Sequence, residues 1–243
     1  MRDSFFTKFG IVAVVLVAFI DGMLVANHYH SNLNETQALE SIELEDIFES
    51  YEAEEETIIE EPRYIEVREV PFTSQAPKGD WGSPWDDFAE EAIMTMVRQW
   101  WKNEALLSVE QAEATMLDIA RYEEENIGNE GLLSIEQVQS ILDDFFAIPS
   151  QILDDPSVEQ LKATLDEGSI LIAPINGQVL LNPHYGNPAP ENHMILIYAW
   201  EGDIFITHDP GTRHGESVTY DQQKILESIQ DLNGELRVLI IQL

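Results

Sequence analysis

The stretch Asn192–Thr212, NHMILIYAWEGDIFITHDPGT, leaves a chain few ways to fold. Two apolar runs rich in β-branched and aromatic residues flank a short polar turn at Gly202, a pattern that reads as a β-hairpin. His193 opens the first run and Asp209 closes the second. With the turn centred on Gly202, His193 lies opposite Gly211, and Asp209 becomes its diagonal neighbour on the same face. Diagonal neighbours stand about 7–8 Å apart, within reach of an imidazole and a carboxylate. A one-residue slip in register would send the two to opposite faces. Two readings stay open. Asp209 could fix the tautomer of His193 and stabilise its charged form, as in hydrolytic sites. Alternatively, Asp-Pro-Gly-Thr is a turn that Asp209 merely caps.

Upstream of the hairpin the periodicity is helical. Ser108-Val-Glu-Gln111, Ser134-Ile-Glu-Gln137 and Ser157-Val-Glu-Gln160 each fit a capping box. In that motif the Ser oxygen and the Gln side chain satisfy N–H groups that the first helical turn leaves unpaired. They predict helix starts near 109, 135 and 158, with Gly168 as a stop for the last. An earlier helix is expected over about 86–102, with Phe88, Ala92 and Met96 on one side and Ile93, Val97 and Trp100 beside them. After Gly168 the period shortens. SILIAPINGQVLLNP reads as two strands joined at Asn176-Gly177, a strong hairpin signal, and LRVLIIQL as a final strand. Helices followed by antiparallel strands define an α+β class.

Charge narrows the function. Forty-six acidic residues against twelve basic give a formal charge of −34, a surface that repels phosphate backbones, so no nucleic acid is expected as a partner. Anionic lipid headgroups are repelled as well, so membrane attachment must be hydrophobic. The run Phe9–Ala26 supplies such an attachment: it is apolar apart from glycines and Asp21, and its eighteen residues are near the short end for spanning a bilayer. Arg2 and Lys8 precede it and no Lys or Arg follows until Arg63, which places the N-terminus in the cytoplasm and the rest outside. The expected organisation is a cytoplasmic stub at 1–8, a transmembrane anchor or signal segment at 9–26, an acidic linker at 27–64 and a folded domain at 65–243. A secreted chain with a cleaved signal is the alternative, although no A-x-A-like site follows the run. The linker reads as a solvated, self-repelling spacer. With no cysteine, disulfides, thiolate metal sites, lipoprotein attachment and thiol catalysis are excluded together.

VPFTSQAP (Val70 to Pro77), WDDFAEEA (Trp85 to Ala92) and NPHYGNPAPENHMILIYAWEGDIFITHDPGTRHGE together resemble bacteriocin-processing-type peptidase domains, a branch of the papain-like cysteine peptidases. The resemblance runs from about residue 67 to the C-terminus, includes QDLNGE, and is most specific around FITHDPGTRHGE. It implies a papain-like fold, with a helical N-terminal half packed on an antiparallel sheet that carries His and Asp. It also implies Gln75 at the oxyanion-stabilising position, His193 as general base and Asp209 as the orienting carboxylate.

The family's nucleophile is the cysteine of a Cys-Glu-Glu-Ala-Ser run, and here that run is Ala89-Glu90-Glu91-Ala92-Ile93. His208 stands where the family usually has Asn. A methyl group cannot attack a carbonyl. Ser83 and Thr95 each lie six residues away, the latter about 9 Å along a helix. Without a nucleophile, a well-studied serine protease keeps only about 10³–10⁴-fold acceleration, against 10⁶ or more for an intact enzyme. The expectation is a membrane-anchored, extracytoplasmic pseudopeptidase that holds a peptide or protein ligand in its cleft and needs no cofactor or metal. One alternative is hydrolysis by another nucleophile, by a bound metal, or by Glu90, Glu91, His193 and Asp209 acting through water; no H-E-x-x-H spacing supports a metal. In the bland reading, Glu90 and Glu91 only complement the helix dipole. A structural surface protein is the third possibility.

Overall fold

A computed structural model describes residues 69–105, 107–128 and 131–243. The stub at 1–8, the anchor at 9–26 and the linker at 27–64 lie outside the described residues. Among the described residues no helix is long and apolar enough to cross a membrane.

A 3₁₀ turn at Trp85–Asp87 leads into α1 (Ala89–Lys102), followed by α2 (Val109–Asn126), α3 (Ile135–Phe146), β1 (Ser150–Asp154) and α4 (Val158–Asp166). Then come β2 (Ile170–Ile175), α5 (Gly177–Leu180), β3 (His193–Glu201), β4 (Ile204–His208), β5 (Val218–Asp221), α6 (Gln222–Ser228) and β6 (Arg237–Ile241). All three capping boxes form. Ser108, Ser134 and Ser157 accept from the N–H groups of Gln111, Gln137 and Gln160 at 3.3, 3.3 and 3.2 Å, and the glutamine side chains accept in return. The helix expected from 86 starts instead at Ala89. Asp86 and Asp87 are taken into the 3₁₀ turn, and Trp85 packs edge-on against Phe88.

The six strands form one fully antiparallel sheet in the order β1-β6-β2-β3-β4-β5, so the class is α+β as read from the pattern. Alternation along the strands divides the core between two faces. Ile170, Ile172, Met194, Leu196, Leu239 and Ile241 pack with α1 and α3 on one face. Leu171, Ala173, Ile175, Ile195, Ile197 and Val238 pack with α4 and α6 on the other. Helices therefore cover both faces, not one. This is why β2 is buried at every position and shows no polar alternation. Eleven of the fourteen residues of α1 are buried, so this helix lies in the interior and carries no broad solvated stripe.

The expected hairpin at Asn176-Gly177 is absent. Asn176 caps α5 instead, its Oδ1 accepting from the N–H groups of Gln178 at 2.9 Å and Val179 at 3.3 Å. A Cβ on Gly177 would stand 2.7 Å from the Pro190 carbonyl, so glycine serves a close approach here and not a two-residue turn. β2 pairs instead with β6 on one edge and β3 on the other, with Ile175 opposite His193.

The 192–212 hairpin forms, and its register is set by a bulge. Next to the turn Glu201 pairs with Ile204, Trp200 with Phe205 and Ala199 with Ile206. Continued unchanged, that register would put Asp209 on the face opposite His193. The ladder shifts between Ile197 and Ala199, leaving Tyr198 as the extra residue, and resumes with Ile197 opposite Thr207 and Leu196 opposite His208. The shift restores His193 and Asp209 to one face.

Candidate functional site

The site lies where the N-terminus of α1 meets the open end of this hairpin. His193, the first residue of β3, sends its Nε2 to Asp209 Oδ1 at 2.8 Å. A carboxylate only accepts, so Nε2 is the nitrogen that donates, and Nδ1 is the one left over. Gly211 lies under the ring, where a Cβ would stand 2.7 Å from His193 Cε1.

Asp209 is fully buried, and five donors converge on it. Besides His193, the Gly211 N–H reaches Oδ1 at 3.1 Å. Asn182 Nδ2 at 2.8 Å, Tyr185 Oη at 2.7 Å and Tyr220 Oη at 3.1 Å reach Oδ2. Burial alone would raise the pKa of this carboxyl. The charge of His193 and the hydrogen bonds from His193, Tyr185 and Asn182 outweigh burial and hold it below the ordinary value, so it stays ionised. Burial, followed by the carboxylate's charge, pushes both tyrosines upward, and they remain donors. Asp209 is thus far more than a turn cap. Asn182, Tyr185 and Tyr220 were not singled out in the sequence, although the first two fall within the motif Asn182–Glu216 quoted for the resemblance.

Gln75 arrives from the segment ahead of the 3₁₀ turn. Its backbone N–H donates to the Pro210 carbonyl at 3.1 Å, and its Nε2 donates to the Trp85 carbonyl at 2.9 Å. An amide NH₂ has two hydrogens, so one contact fixes the side chain and leaves a second donor. His208 faces away from Asp209 and holds this segment in place. Its Nδ1 accepts from the Ser217 N–H at 3.1 Å, so its Nε2 donates to the Val70 carbonyl at 2.8 Å, and its ring contacts Phe72 and Tyr198. Burial depresses its pKa and keeps it neutral.

Gln75, Ala89 and His193 line one cleft of about 260 Å³, together with Trp81, Glu90 and Tyr185. The residue before α1 supplies no side-chain cap, so the first N–H groups of α1 are not met by one. Ser83 and Thr95 are not in the lining; Ser83 is exposed and Thr95 is buried within α1.

Glu90 and Glu91 are not the solvated dipole partners of the bland reading, since each is only 5% exposed. Burial, partly countered by its own N–H and by His193, pushes Glu90 to about 7. Burial and then the neighbouring Glu123 and Glu90 push Glu91 to about 10, and burial brings Glu123 to about 7. Glu91 Oε2 and Glu123 Oε1 are buried without a hydrogen-bond partner. Glu91 therefore holds its proton at neutral pH. Among the described residues no three His, Asp or Glu side chains are arranged to hold a metal ion.

No family model matches the chain. No curated protein matches it either. Among solved structures, the chain is similar to the crystal structure of a "putative C39-like peptidase" from Bacillus anthracis, with a TM-score of 0.49 and 11% sequence identity, covering 72% of this chain and 95% of that one. Identity that low carries no residue role across, so the chemistry of this chain has to be read from its own side chains.

Proposed function

We propose that residues 65–243 form a papain-like peptidase domain of the C39 type that has lost its nucleophile and holds a peptide or protein ligand in the cleft without cleaving it. The observation that carries this reading is a complete frame around an inert residue. His193 is oriented by an ionised Asp209, Gln75 keeps a free amide hydrogen, and both His193 and Gln75 share their cleft with the methyl of Ala89. The imidazole is the general base, the Gln75 amide and the α1 N-terminus are the oxyanion donors, and the attacking atom is missing. The run at 9–26 anchors the domain outside the membrane, with residues 27–64 as the spacer.

A second reading is favoured by Glu90, a carboxyl near pKa 7 in the same cleft as His193. In that reading hydrolysis runs through a water held between the two. Turnover of a mixed peptide digest separates them. The wild-type chain is expected to show none above background and Ala89→Cys to turn the digest over, since a nucleophile supplies up to about 10⁶-fold to an intact frame. Wild-type hydrolysis lost on both His193→Ala and Glu90→Gln would replace the first reading by the second.

A further inference from the structure

Past Gly211 the cleft continues into a second recess of about 510 Å³, and the two share Trp81, Gly186 and Gly211. Their charge differs. Asp86, Asp87 and Glu90 line the cleft, whereas no carboxylate lines the recess, whose polar side chains are His184, Thr212, Arg213 and His214. In a chain with 46 acidic residues and 12 basic ones, a recess free of acids and holding a guanidinium departs from its surroundings.

Most of the other described cations are paired, exposed Lys102 at the end of α1 being the exception. Lys78 pairs with Glu113, Arg98 with Glu104, Arg121 with Asp118 and Lys224 with Glu227. Arg237 gathers Asp231, Glu136, Asp154 and Glu235, and Lys162 lies over the Trp200 ring. Among the described residues Arg213 has no carboxylate partner; its Nη2 donates to the Gly79 carbonyl at 2.8 Å. A guanidinium carries five N–H donors, so four remain. The single contact also seats the group. Gly79 has φ +76, and a Cβ there would stand 2.7 Å from Nη2, so the absence of a side chain lets the guanidinium rest against the turn. A cation ordered in advance loses less freedom when a ligand arrives. Beside it the His184 and His214 rings meet at a tilt of 36° with centroids 4.5 Å apart, and each imidazole keeps at least one N–H donor in any protonation state.

We propose that this recess is a carboxylate subsite, in which Arg213 and the His184–His214 pair take one acidic group of a peptide lying in the cleft. A planar guanidinium matches a carboxylate through two parallel hydrogen bonds, which an amide cannot reproduce. The net charge of −34 repels a polyacidic ligand as a whole, so the subsite selects a single acid within an otherwise uncharged peptide. An acidic side chain and a free C-terminus present the same chemistry. The inference rests on the peptide-binding reading of the cleft.

The test uses the immobilised full-length chain and pools of acetylated hexapeptides built from uncharged residues. One set is amidated with Glu fixed at each position in turn, one is amidated with Gln fixed, and one has Gln fixed and a free C-terminal acid. Retention of a carboxylate-bearing pool about tenfold above the amidated Gln pool is expected, as for a hydrogen bond to a charged group. The set that is enriched identifies the source of the carboxylate. Arg213→Gln should reduce the ratio to below about twofold and Arg213→Lys to an intermediate value, with the unfolding midpoint as the check on folding. Retention of peptides with no preference for a carboxylate, or a preference that survives Arg213→Gln, overturns the subsite alone. Retention of no pool by the wild-type chain overturns the peptide-binding reading, and the subsite falls with it.

Discussion

Replacing Gly215 with alanine is expected to destabilise the folded domain by at least about 4 kcal/mol, in the range reserved for backbone conflict. A Cβ at this position would stand 1.6 Å from the Asp209 carbonyl oxygen and 2.7 Å from its carbon. Both are main-chain atoms, so no rotamer change relieves the overlap. Moving the two ends of the β4–β5 loop apart would break the Asp209 N–H bond to the Gly215 carbonyl, 2.8 Å long, and withdraw Asp209 from its five donors. Gly128→Ala is the matched control. It has φ +68 and nothing within 4 Å, so it should cost only the 1–2 kcal/mol or so of a left-handed alanine. Urea midpoints measure both. A Gly215→Ala chain no less stable than the control would show that Gly215 and Asp209 do not approach as described.

Glu91→Gln is expected to act in the opposite direction and to depend on pH. Burial, then Glu123 and Glu90, raise the Glu91 carboxyl from 4.5 to about 10. Between those values the folded chain binds a proton that the unfolded chain has released, so this group lowers stability as pH rises. Its contribution is intact below the unfolded pKa and is lost progressively toward the folded one. Every pH unit crossed inside that window costs up to about 1.4 kcal/mol. Glutamine cannot ionise, and its amide offers a donor near Glu123, whose Oε1 is unpartnered. The variant should match the wild type near pH 4 and exceed it by up to about 5 kcal/mol at pH 8. Glu90 and Glu123, each raised to about 7, leave a residual slope of the same sign in both chains. A difference that does not change between pH 4 and pH 8 would mean that Glu91 is not held neutral.

What the sequence disclosed followed how local each signal was. The three capping boxes were legible because donor and acceptor lie within one helical turn. The same locality misled at Asn176-Gly177. The pair suits a hairpin turn, but its use was decided by Pro190, a contact from the loop before β3. β1, SQILD, forms an edge strand against β6, and β5, VTYD, an edge against β4; both are short and mixed in polarity, so the pattern did not announce them. The facing of His193 and Asp209 was expected from a turn centred on Gly202. It holds only because the bulge at Tyr198 offsets the register that the turn imposes. Asn182, Tyr185 and Tyr220 reach Asp209 across 27, 24 and 11 residues, and no spacing rule connects them. Burial of Glu90 and Glu91 was likewise invisible, because nothing in the first turn of α1 shows that a helix is enclosed on all sides.

The alkylation rate of Ala89→Cys as a function of pH tests the central claim most directly. The chain has no other cysteine, so iodoacetamide would report on residue 89 alone. A thiol at a helix N-terminus beside an imidazole is pushed to a pKa of about 3.5–7.5, whereas an ordinary thiol ionises near 8.5. The account predicts rapid labelling already at pH 6, and its loss there when His193→Ala is added. A rate that rises only near pH 8.5, and rises identically with and without His193, would contradict it.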